Sequence, residues 1–187
     1  MTENTTDGED RLIVAGFGGQ GVLTLAGLLC QAAMEEGRQI TYLPSYGGEV
    51  RSGTVNCQVV ISGGEIYSPV VEAADSLIIL NEMSFERFGD AIRDGGLLLL
   101  NTSLAAPGDY AREHRARVLP VRATELAAEM GNVVVANTIM LGAFLGATAM
   151  CGEETVAEVL RRTLTGRKSN VLELNLRALQ AGIGLTN

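Results

Sequence analysis

One segment sets the architecture of this chain: Leu12-Ile13-Val14-Ala15-Gly16-Phe17-Gly18-Gly19-Gln20-Gly21. Its apolar first half predicts a buried strand, and its glycines predict a tight turn. The residues that follow, to about Glu36, carry apolar side chains at helical spacing. A strand that passes through a glycine turn into a helix is the opening of a nucleotide-binding α/β fold.

The glycines at 16, 18 and 21 have the G-x-G-x-x-G spacing in the strand–turn–helix context that this pattern requires. Because they lack a Cβ, we expect Gly16 and Gly18 to take positive φ and admit a ligand, and Gly21 to allow close packing of the helix on the strand. The N–H groups of residues 19–22 are then expected to face an anion. A glycine turn that only packs is the alternative.

A dinucleotide site also needs a carboxylate for the ribose hydroxyls, at the end of the second strand and about 20 residues after the glycines. Thr41-Tyr42-Leu43 occupies that place, and the nearest acid, Glu49, lies beyond Pro44 in the next loop. This absence disfavours a freestanding NAD(P)-binding protein. We expect no binding of NAD(H) or NADP(H) below roughly millimolar concentration.

Composition restricts the function further. The net charge of -8 and the absence of a basic cluster disfavour nucleic acid and anionic membranes as partners. Cys30, Cys57 and Cys151 are widely spaced and His114 is the single histidine, so neither a disulfide framework nor a zinc motif is predicted. The pattern is typical of a protein of the reducing cytoplasm. The chain offers no evident ligands for flavin, thiamine or an iron–sulfur cluster, so we expect it to be colourless in isolation. No nucleophile–base pair is evident either, so we expect the isolated chain to be catalytically silent.

The chain is expected to hold one domain, residues 11–187, after a polar and disordered lead-in at 1–10 that does not resemble a signal peptide. The most hydrophobic window, 133–151, contains Asn137 and Thr138, so it predicts a buried strand and a core helix and no membrane span. Gly142 and Gly146 form a small-residue seam on that helix. We expect the seam to pack inside the core in preference to a subunit interface.

Strands and helices alternate along the rest of the chain. Asn56–Ile61 is predicted to form a hairpin with Glu65–Ser68 through Gly63-Gly64, and Asp94-Gly95-Gly96 is predicted to turn. Further strands are expected at 76–80, 97–100 and 117–121, and helices at 83–88, 123–129, 153–164 and after a cap at Ser169. The pattern predicts a three-layer α/β domain: a Rossmann-like, mostly parallel sheet with a β-hairpin insertion and helices on both faces.

The loop from Ser45 to Thr54 follows the second strand, where open α/β sheets bind ligands. It holds Glu49 and Arg51 among hydroxyls, glycines and Tyr46. The carboxyl ends of parallel strands share one sheet edge, so we expect Arg51 and the glycine turn to form one anion site. The alternative is a surface loop whose Arg–Glu pair contributes little.

These residues carry a resemblance. Gly16-Phe17-Gly18-Gly19-Gln20-Gly21-Val22, followed by Pro44-Ser45-Tyr46-Gly47, Glu49, Arg51 and Gly53-Thr54, resembles the gamma subunit of 2-oxoacid:ferredoxin oxidoreductases. The similarity continues at 59–62, 68–70, 75–81 and 137–142, so it covers most of the chain. Two positions depart from the family pattern: Gly48 stands where proline is common, and Ser52 where a second glycine is common.

The resemblance implies a complex that oxidatively decarboxylates a 2-oxoacid to an acyl-CoA. Thiamine diphosphate and iron–sulfur clusters would lie on partner chains, namely alpha, beta and a ferredoxin-like delta subunit, with ferredoxin as acceptor. This chain alone would bind no cofactor, its homodimerisation in isolation is left open, and a purely structural subunit is the alternative. The residues expected to contribute to the coenzyme A crevice are Gly16, Gly18, Gly19, Gln20, Gly21, Ser45, Tyr46, Gly47, Glu49 and Arg51.

Overall fold

The computed structural model describes residues 8–46, 53–108, 110, 116–165 and 171–186. The predicted cap Ser169 and the loop residues 47–52 lie outside these ranges. The described strands are β1 (Glu9–Phe17), β2 (Gln39–Tyr46), β3 (Thr54–Ser62), β4 (Ala74–Ile79), β5 (Ile92–Asn101) and β6 (Arg117–Val121). The described α-helices are α1 (Val22–Glu35), α2 (Glu82–Phe88), α3 (Ala123–Glu129), α4 (Ala136–Thr148), α5 (Glu153–Thr163) and α6 (Leu172–Gly184).

The strands form one six-stranded sheet in the order β2-β3-β1-β4-β5-β6. Neighbouring strands from β1 through β4 and β5 to β6 are parallel, whereas β3 is antiparallel to both β1 and β2. β1 and β2 therefore run in the same direction without touching. In this register Phe17 lies opposite Thr54, and Tyr46 lies opposite Val55, so β1 and β2 end at the same edge of the sheet.

Helices cover both faces, which confirms the predicted three-layer arrangement. Leu12 and Val14 of β1 point into a core shared with α1, α3, α4, α5 and α6. Ile13 and Ala15 point to the other face, where Phe85 and other residues of α2 pack. Every second residue of β1 thus enters a different core, as expected for a strand with helices on both sides.

The predicted hairpin between 56–61 and 65–68 is wrong. The first run is real, but it belongs to β3, which pairs with β1 on one side and β2 on the other. Residues 65–68 form no strand. Val59, Val60 and Ile61 are all 0% exposed, because a run that is apolar on both faces suits an inner strand covered from both sides.

Two further predictions fail between 92 and 135. Asp94-Gly95-Gly96 does not turn the chain; it lies inside β5, where Gly95 takes φ +78° at an irregular part of the β4–β5 register. Val133–Val135 is a single turn of 3-10 helix instead of a buried strand. Val133 and Val134 are 54% and 67% exposed.

The glycine seam of α4 packs on α6 inside the chain, as predicted in preference to an interface. A Cβ on Gly142 would lie 2.2 Å from the carbonyl oxygen of Leu179, and one on Gly182 would lie 2.1 Å from that of Ile139. The two helix backbones therefore touch directly. No helix within the described ranges is long and apolar enough to cross a bilayer.

Candidate functional site

The glycine turn joins the end of β1 to α1 at the edge where β1 and β2 end. Gly19 has φ +93° and Gly21 has φ +77°, and the Gln20 N–H donates to the Phe17 carbonyl at 3.1 Å. The expectation of positive φ at Gly16 and Gly18 is therefore wrong. Gly16 instead sits beneath the turn, where a Cβ would lie 2.9 Å from the Val22 side chain.

Gln20 ties the turn to the neighbouring strand. Its Oε1 accepts hydrogen bonds from the Phe17 N–H at 2.7 Å and from Asn81 Nδ2 at 2.6 Å. Its Nε2 donates to the Leu80 carbonyl at 3.4 Å. Because Asn81 also caps α2 through Ser84 N–H, the ends of β1 and β4 and the start of α2 form one hydrogen-bonded unit.

Gly21 meets a helix from the far end of the chain. It was expected to allow packing of α1 on a strand, but its missing Cβ makes room for Asn137 at the start of α4. Asn137 Nδ2 donates to the Gly21 carbonyl at 3.3 Å. Thr138 N–H donates to Asn137 Oδ1 at 2.9 Å, and the Thr138 hydroxyl donates to Asn175 Oδ1 at 2.7 Å. The turn is thus linked through α4 to α6.

A cleft of about 560 Å³ opens over this turn. One wall is the turn with the first residues of α1, and Tyr46 and Val55 at the ends of β2 and β3 form another. Its remaining lining is Val134, Asn137, Leu164, Val171 and Asn175. A smaller cavity of about 200 Å³ lies on the other side of the turn, lined by Gln20, Asn101 and Thr124 among others.

The described lining of the larger cleft contains no charged side chain. Its electrostatic character comes from α1, a 14-residue helix whose N-cap residue is Gly21 and which has no side-chain cap. The first N–H groups of such a helix lack acceptors within the helix and carry a partial positive charge. A Cβ on Gly19 would meet nothing within 4 Å, so a ligand can approach the backbone there. The arrangement suits a phosphate or another anionic group.

Only some of the predicted site residues line the cleft. Gly18, Gly19, Gly21 and Tyr46 line the cleft, and Gln20 supports the turn from beside it. Ser45 and Tyr46 were predicted in the loop but belong to β2, opposite Asn56 and Val55. Gly47, Glu49 and Arg51 lie outside the described residues, so their joining the glycine turn stays a prediction.

Sequence reasoning missed the part of the cleft that α4 and α6 supply. Asn137 and Thr138 are 6% and 1% exposed, and each makes hydrogen bonds. Two polar residues at the start of an otherwise apolar helix are the signal that could have identified them, because buried polar groups need partners. Asn175 had no such signal, since polar residues are ordinary on a surface helix.

The cysteines lie in the core. Cys30, Cys57 and Cys151 are buried free thiols, and burial raises the pKa of each, to about 12, 11 and 12 respectively. They are therefore neutral thiols at physiological pH, whereas metal ligation uses the thiolate. Within the described ranges, no three His, Cys, Asp or Glu side chains are grouped so that they could hold a metal ion.

Known relatives share most of this chain. Ketoisovalerate oxidoreductase subunit VorA of Methanothermobacter marburgensis is 42% identical over 176 residues, which cover 93% of this chain but 36% of VorA. The chain thus spans little more than a third of that relative. Indolepyruvate oxidoreductase subunit IorB of Archaeoglobus fulgidus is 31% identical over 190 residues, covering 91% of this chain and 92% of IorB.

Solved structures share the fold. The keto/oxoacid ferredoxin oxidoreductase gamma subunit of Geobacter sulfurreducens superposes with a TM-score of 0.78 at 24% identity, covering 95% of this chain and 98% of that one. A second structure is the 2-oxoglutarate:ferredoxin oxidoreductase of Magnetococcus marinus, solved with 2-oxoglutarate, coenzyme A and succinyl-CoA bound. It superposes with a TM-score of 0.87 at 23% identity, and the match covers 95% of this chain and 31% of that one.

The family model described as pyruvate ferredoxin/flavodoxin oxidoreductase matches residues 11–185. This match includes the glycine turn, the lining of the cleft and the helices behind it. The chain belongs to the pyruvate ferredoxin/flavodoxin oxidoreductase family.

Proposed function

We propose that this chain is the gamma-type subunit of a 2-oxoacid:ferredoxin oxidoreductase and that its cleft contributes to the coenzyme A site. One observation carries the proposal: the family match over residues 11–185 coincides with an uncapped helix start that opens into a cleft. The names of the relatives support it, since VorA, IorB and the 2-oxoglutarate synthase subunit KorC are subunits of enzymes that act on 2-oxoacids. They favour this function over a freestanding NAD(P)-binding protein.

The proposal assigns the redox chemistry to other chains, in the cytoplasm. Thiamine diphosphate and the iron–sulfur clusters belong to alpha, beta and delta partners, and ferredoxin accepts the electrons. The cysteine content supports this division, because one cluster usually takes four thiolates and the chain has three cysteines. This chain therefore contributes binding and assembly.

The cleft suits the phosphates of coenzyme A. The N–H groups at the start of α1 offer donors, the backbone at Gly19 is open, and no described lining residue carries a negative charge that would repel phosphate. Val55, Val134 and Leu164 add apolar wall beside these donors. When bound, coenzyme A supplies the thiol that takes the acyl group; the residues of this chain hold and orient it.

Arg51 completes the proposal as a second phosphate anchor. A planar guanidinium can form paired hydrogen bonds with phosphate oxygens. In the sequence Arg51 stands between the end of β2 and the start of β3, and both of these strand ends lie at the edge of the sheet that holds the glycine turn.

The test is Arg51→Ala in the complex reconstituted with its partner subunits. We expect the KM for coenzyme A to rise about 10- to 150-fold, the loss expected for one charge-assisted hydrogen bond. Decarboxylation measured without coenzyme A should stay near normal. Arg122→Ala is the matched control, because Arg122 is exposed and pairs with Glu125 on the surface.

Two results would contradict the proposal. If Arg51→Ala leaves the KM unchanged but prevents assembly, Arg51 is an interface residue and the subunit is structural. If the isolated chain itself turns over a 2-oxoacid, the division of labour between the subunits is wrong.

A further inference from the structure

Two side-chain amides line the cleft over the glycine turn, and one buried threonine contacts both of them. Asn137 lies at the start of α4 and Asn175 lies in α6, whereas Thr138 is 1% exposed and does not line the cleft. We infer that Thr138 is a positioning residue, which orients both amides so that their N–H groups can donate to phosphate oxygens of the ligand. The inference rests on the proposed function, since it takes coenzyme A as that ligand.

The orientation of the Asn137 amide follows from its neighbours. The Thr138 backbone N–H can only donate a hydrogen bond, so the Asn137 atom that lies 2.9 Å from it is the oxygen Oδ1. The Thr138 hydroxyl lies 3.4 Å from the same oxygen. The nitrogen Nδ2 is thereby directed to the other side, where it donates to the Gly21 carbonyl at 3.3 Å. Asn137 thus presents its donor end to the glycine turn.

The orientation of the Asn175 amide is fixed from its other end. The Val171 carbonyl can only accept a hydrogen bond, so the Asn175 atom that lies 2.8 Å from it is the nitrogen Nδ2. The oxygen Oδ1 therefore faces the Thr138 hydroxyl, which donates to it at 2.7 Å. Without that hydroxyl, Oδ1 has no other donor in the described part of the chain. The amide would then no longer be held in one orientation.

This arrangement gives the wall of the cleft hydrogen-bond donors. Each amide nitrogen carries two protons, and only one of them has an acceptor among the described residues. Both amide oxygens face Thr138, so the groups that the amides can offer to a ligand are N–H groups. These donors add to the N–H groups at the start of α1, because Asn137 is bonded to the N-cap residue of that helix. Phosphate oxygens can accept from both sets of donors.

The test compares Thr138→Val with Thr138→Ser in the complex reconstituted with its partner subunits. Valine keeps the shape of threonine but has no hydroxyl. We therefore expect the KM for coenzyme A to rise about 2- to 12-fold, the range for one neutral hydrogen bond. The kcat should stay unchanged, because Thr138 does not line the cleft. Serine keeps the hydroxyl and should restore the KM of the unaltered complex.

Thr148→Val is the matched control, since it makes the same change in the same helix. The Thr148 hydroxyl donates to the Phe144 carbonyl of its own helix at 2.8 Å, and Thr148 does not line the cleft. This variant should leave the KM for coenzyme A unchanged. A KM that rises equally in Thr138→Ser, or a kcat that falls while the KM stays the same, overturns the positioning role.

Inhibition by two fragments of coenzyme A tests the assignment to phosphate. ADP carries phosphates without the pantetheine arm, and pantetheine carries the arm without phosphates. Thr138→Val should raise the inhibition constant of ADP and leave that of pantetheine unchanged. The reverse result overturns the assignment to phosphate.

Val55→Trp separates this inference from the proposed function. Val55 lines the cleft, so a tryptophan there obstructs it. If Val55→Trp leaves the KM for coenzyme A unchanged, the proposed function fails and this inference fails with it. If Val55→Trp raises the KM whereas Thr138→Val does not, only this inference fails.

A second variant applies if Thr138→Val does not assemble with its partners. Asn175→Asp keeps the shape of the side chain but replaces its NH₂ group with an anionic oxygen. The KM for coenzyme A should then rise at least about 10-fold, because a donor to phosphate is replaced by a like charge. An unchanged KM in Asn175→Asp overturns the inference.

Discussion

Gly19 and Gly21 share a backbone conformation but not an environment. Both have positive φ, which disfavours any residue with a Cβ. A Cβ on Gly19 would point into open space, whereas one on Gly21 would lie 2.3 Å from Asn137 Nδ2. A substitution at Gly19 therefore tests backbone strain alone, whereas the same substitution at Gly21 tests strain together with steric overlap.

We expect Gly19→Ala to lower the free energy of unfolding by about 1–2 kcal/mol, the cost of a left-handed residue. Gly21→Ala should cost about 2–5 kcal/mol, since the overlap with Asn137 adds to that strain. Gly27→Ala is the control: Gly27 lies in α1 with normal φ and nothing within 4 Å, so alanine should stabilise by about 0.5–1 kcal/mol. Urea unfolding measures all three. Equal losses at Gly19 and Gly21 would contradict the contact with Asn137.

The spacing of the glycines predicts that a turn exists but not which residue takes positive φ. Gly16 is required because Val22 and Leu80 close over it, and Gly21 because Asn137 does. Leu80 and Asn137 are remote in sequence, so no local pattern reveals these contacts. Binding of an anion at the helix start therefore stays a prediction, while the roles expected for the individual glycines change.

The buried cysteines make stability depend on pH in the alkaline range. Burial raises the pKa of Cys30, Cys57 and Cys151 above the usual value of 9.0, so the native state binds protons more tightly than the unfolded chain. This contribution to stability is fully present below pH 9 and is lost as the pH rises towards 11–12.

We therefore expect the urea midpoint to fall as the pH rises from about 9. At pH 8 a thiol reagent should modify the native cysteines only at the rate of unfolding, because the reactive thiolate is scarce and buried. Replacing Cys30 with serine should reduce the alkaline slope. Rapid modification of a native cysteine would show that at least one thiol is accessible.

At the scale of elements, α4 and α6 are held together by contacts between glycines and backbone. Gly142 and Gly182 face carbonyl oxygens of the opposite helix, and carbonyl groups cannot move aside as a flexible side chain can. A methyl group at either position must push the helices apart. The hydrogen bond between Thr138 and Asn175 would then lengthen, so the seam also sets the far wall of the cleft.

We expect Gly142→Ala and Gly182→Ala each to destabilise the chain by at least about 1–3 kcal/mol, the usual cost of overpacking a core. Gly184→Ala is the control on α6: nothing lies within 4 Å of its Cβ position, so the change should be neutral or stabilising. The loss should appear in the unfolding midpoint measured by circular dichroism. If the seam variants match Gly184→Ala, the helices do not touch as described.

Sequence patterns predicted the positions of several strands and helices well, but they predicted poorly which strands pair and which apolar residues are buried. β6 and α3 have the predicted boundaries, because turn residues and helical periodicity mark them in the sequence. The strand at 56–61 was predicted to pair with residues 65–68, but it belongs to β3, which lies between β1 and β2 in the sheet. This pairing depends on the order of the strands in the sheet, which local sequence does not reveal. Val133 and Val134 were expected in the core, but an apolar run in a sequence does not by itself show whether the chain buries it, and both side chains are exposed.

For the whole molecule, the exposed valines lie where the proposed function needs an interface. Val133, Val134 and Leu104 line the small cavity beside the glycine turn, and Val134 also lines the large cleft. Exposed apolar groups next to a binding cleft are typical of surfaces that a partner covers.

We expect Val134→Lys to leave the stability of the isolated chain unchanged, because the side chain is 67% exposed. In the complex, a charge would replace an apolar contact worth about 1.5–3 kcal/mol, so affinity for the partner subunits should fall about 10- to 150-fold. Leu185→Lys is the control: Leu185 is 45% exposed and follows α6, whose end lies near the last turn of α4, away from the cleft. Titration of tagged partner subunits by interferometry measures both variants. If Val134→Lys and Leu185→Lys bind the partner subunits with equal affinity, the assembly surface lies elsewhere. If only Val134→Lys loses affinity, the partner subunits bind at the same edge of the sheet as the cleft.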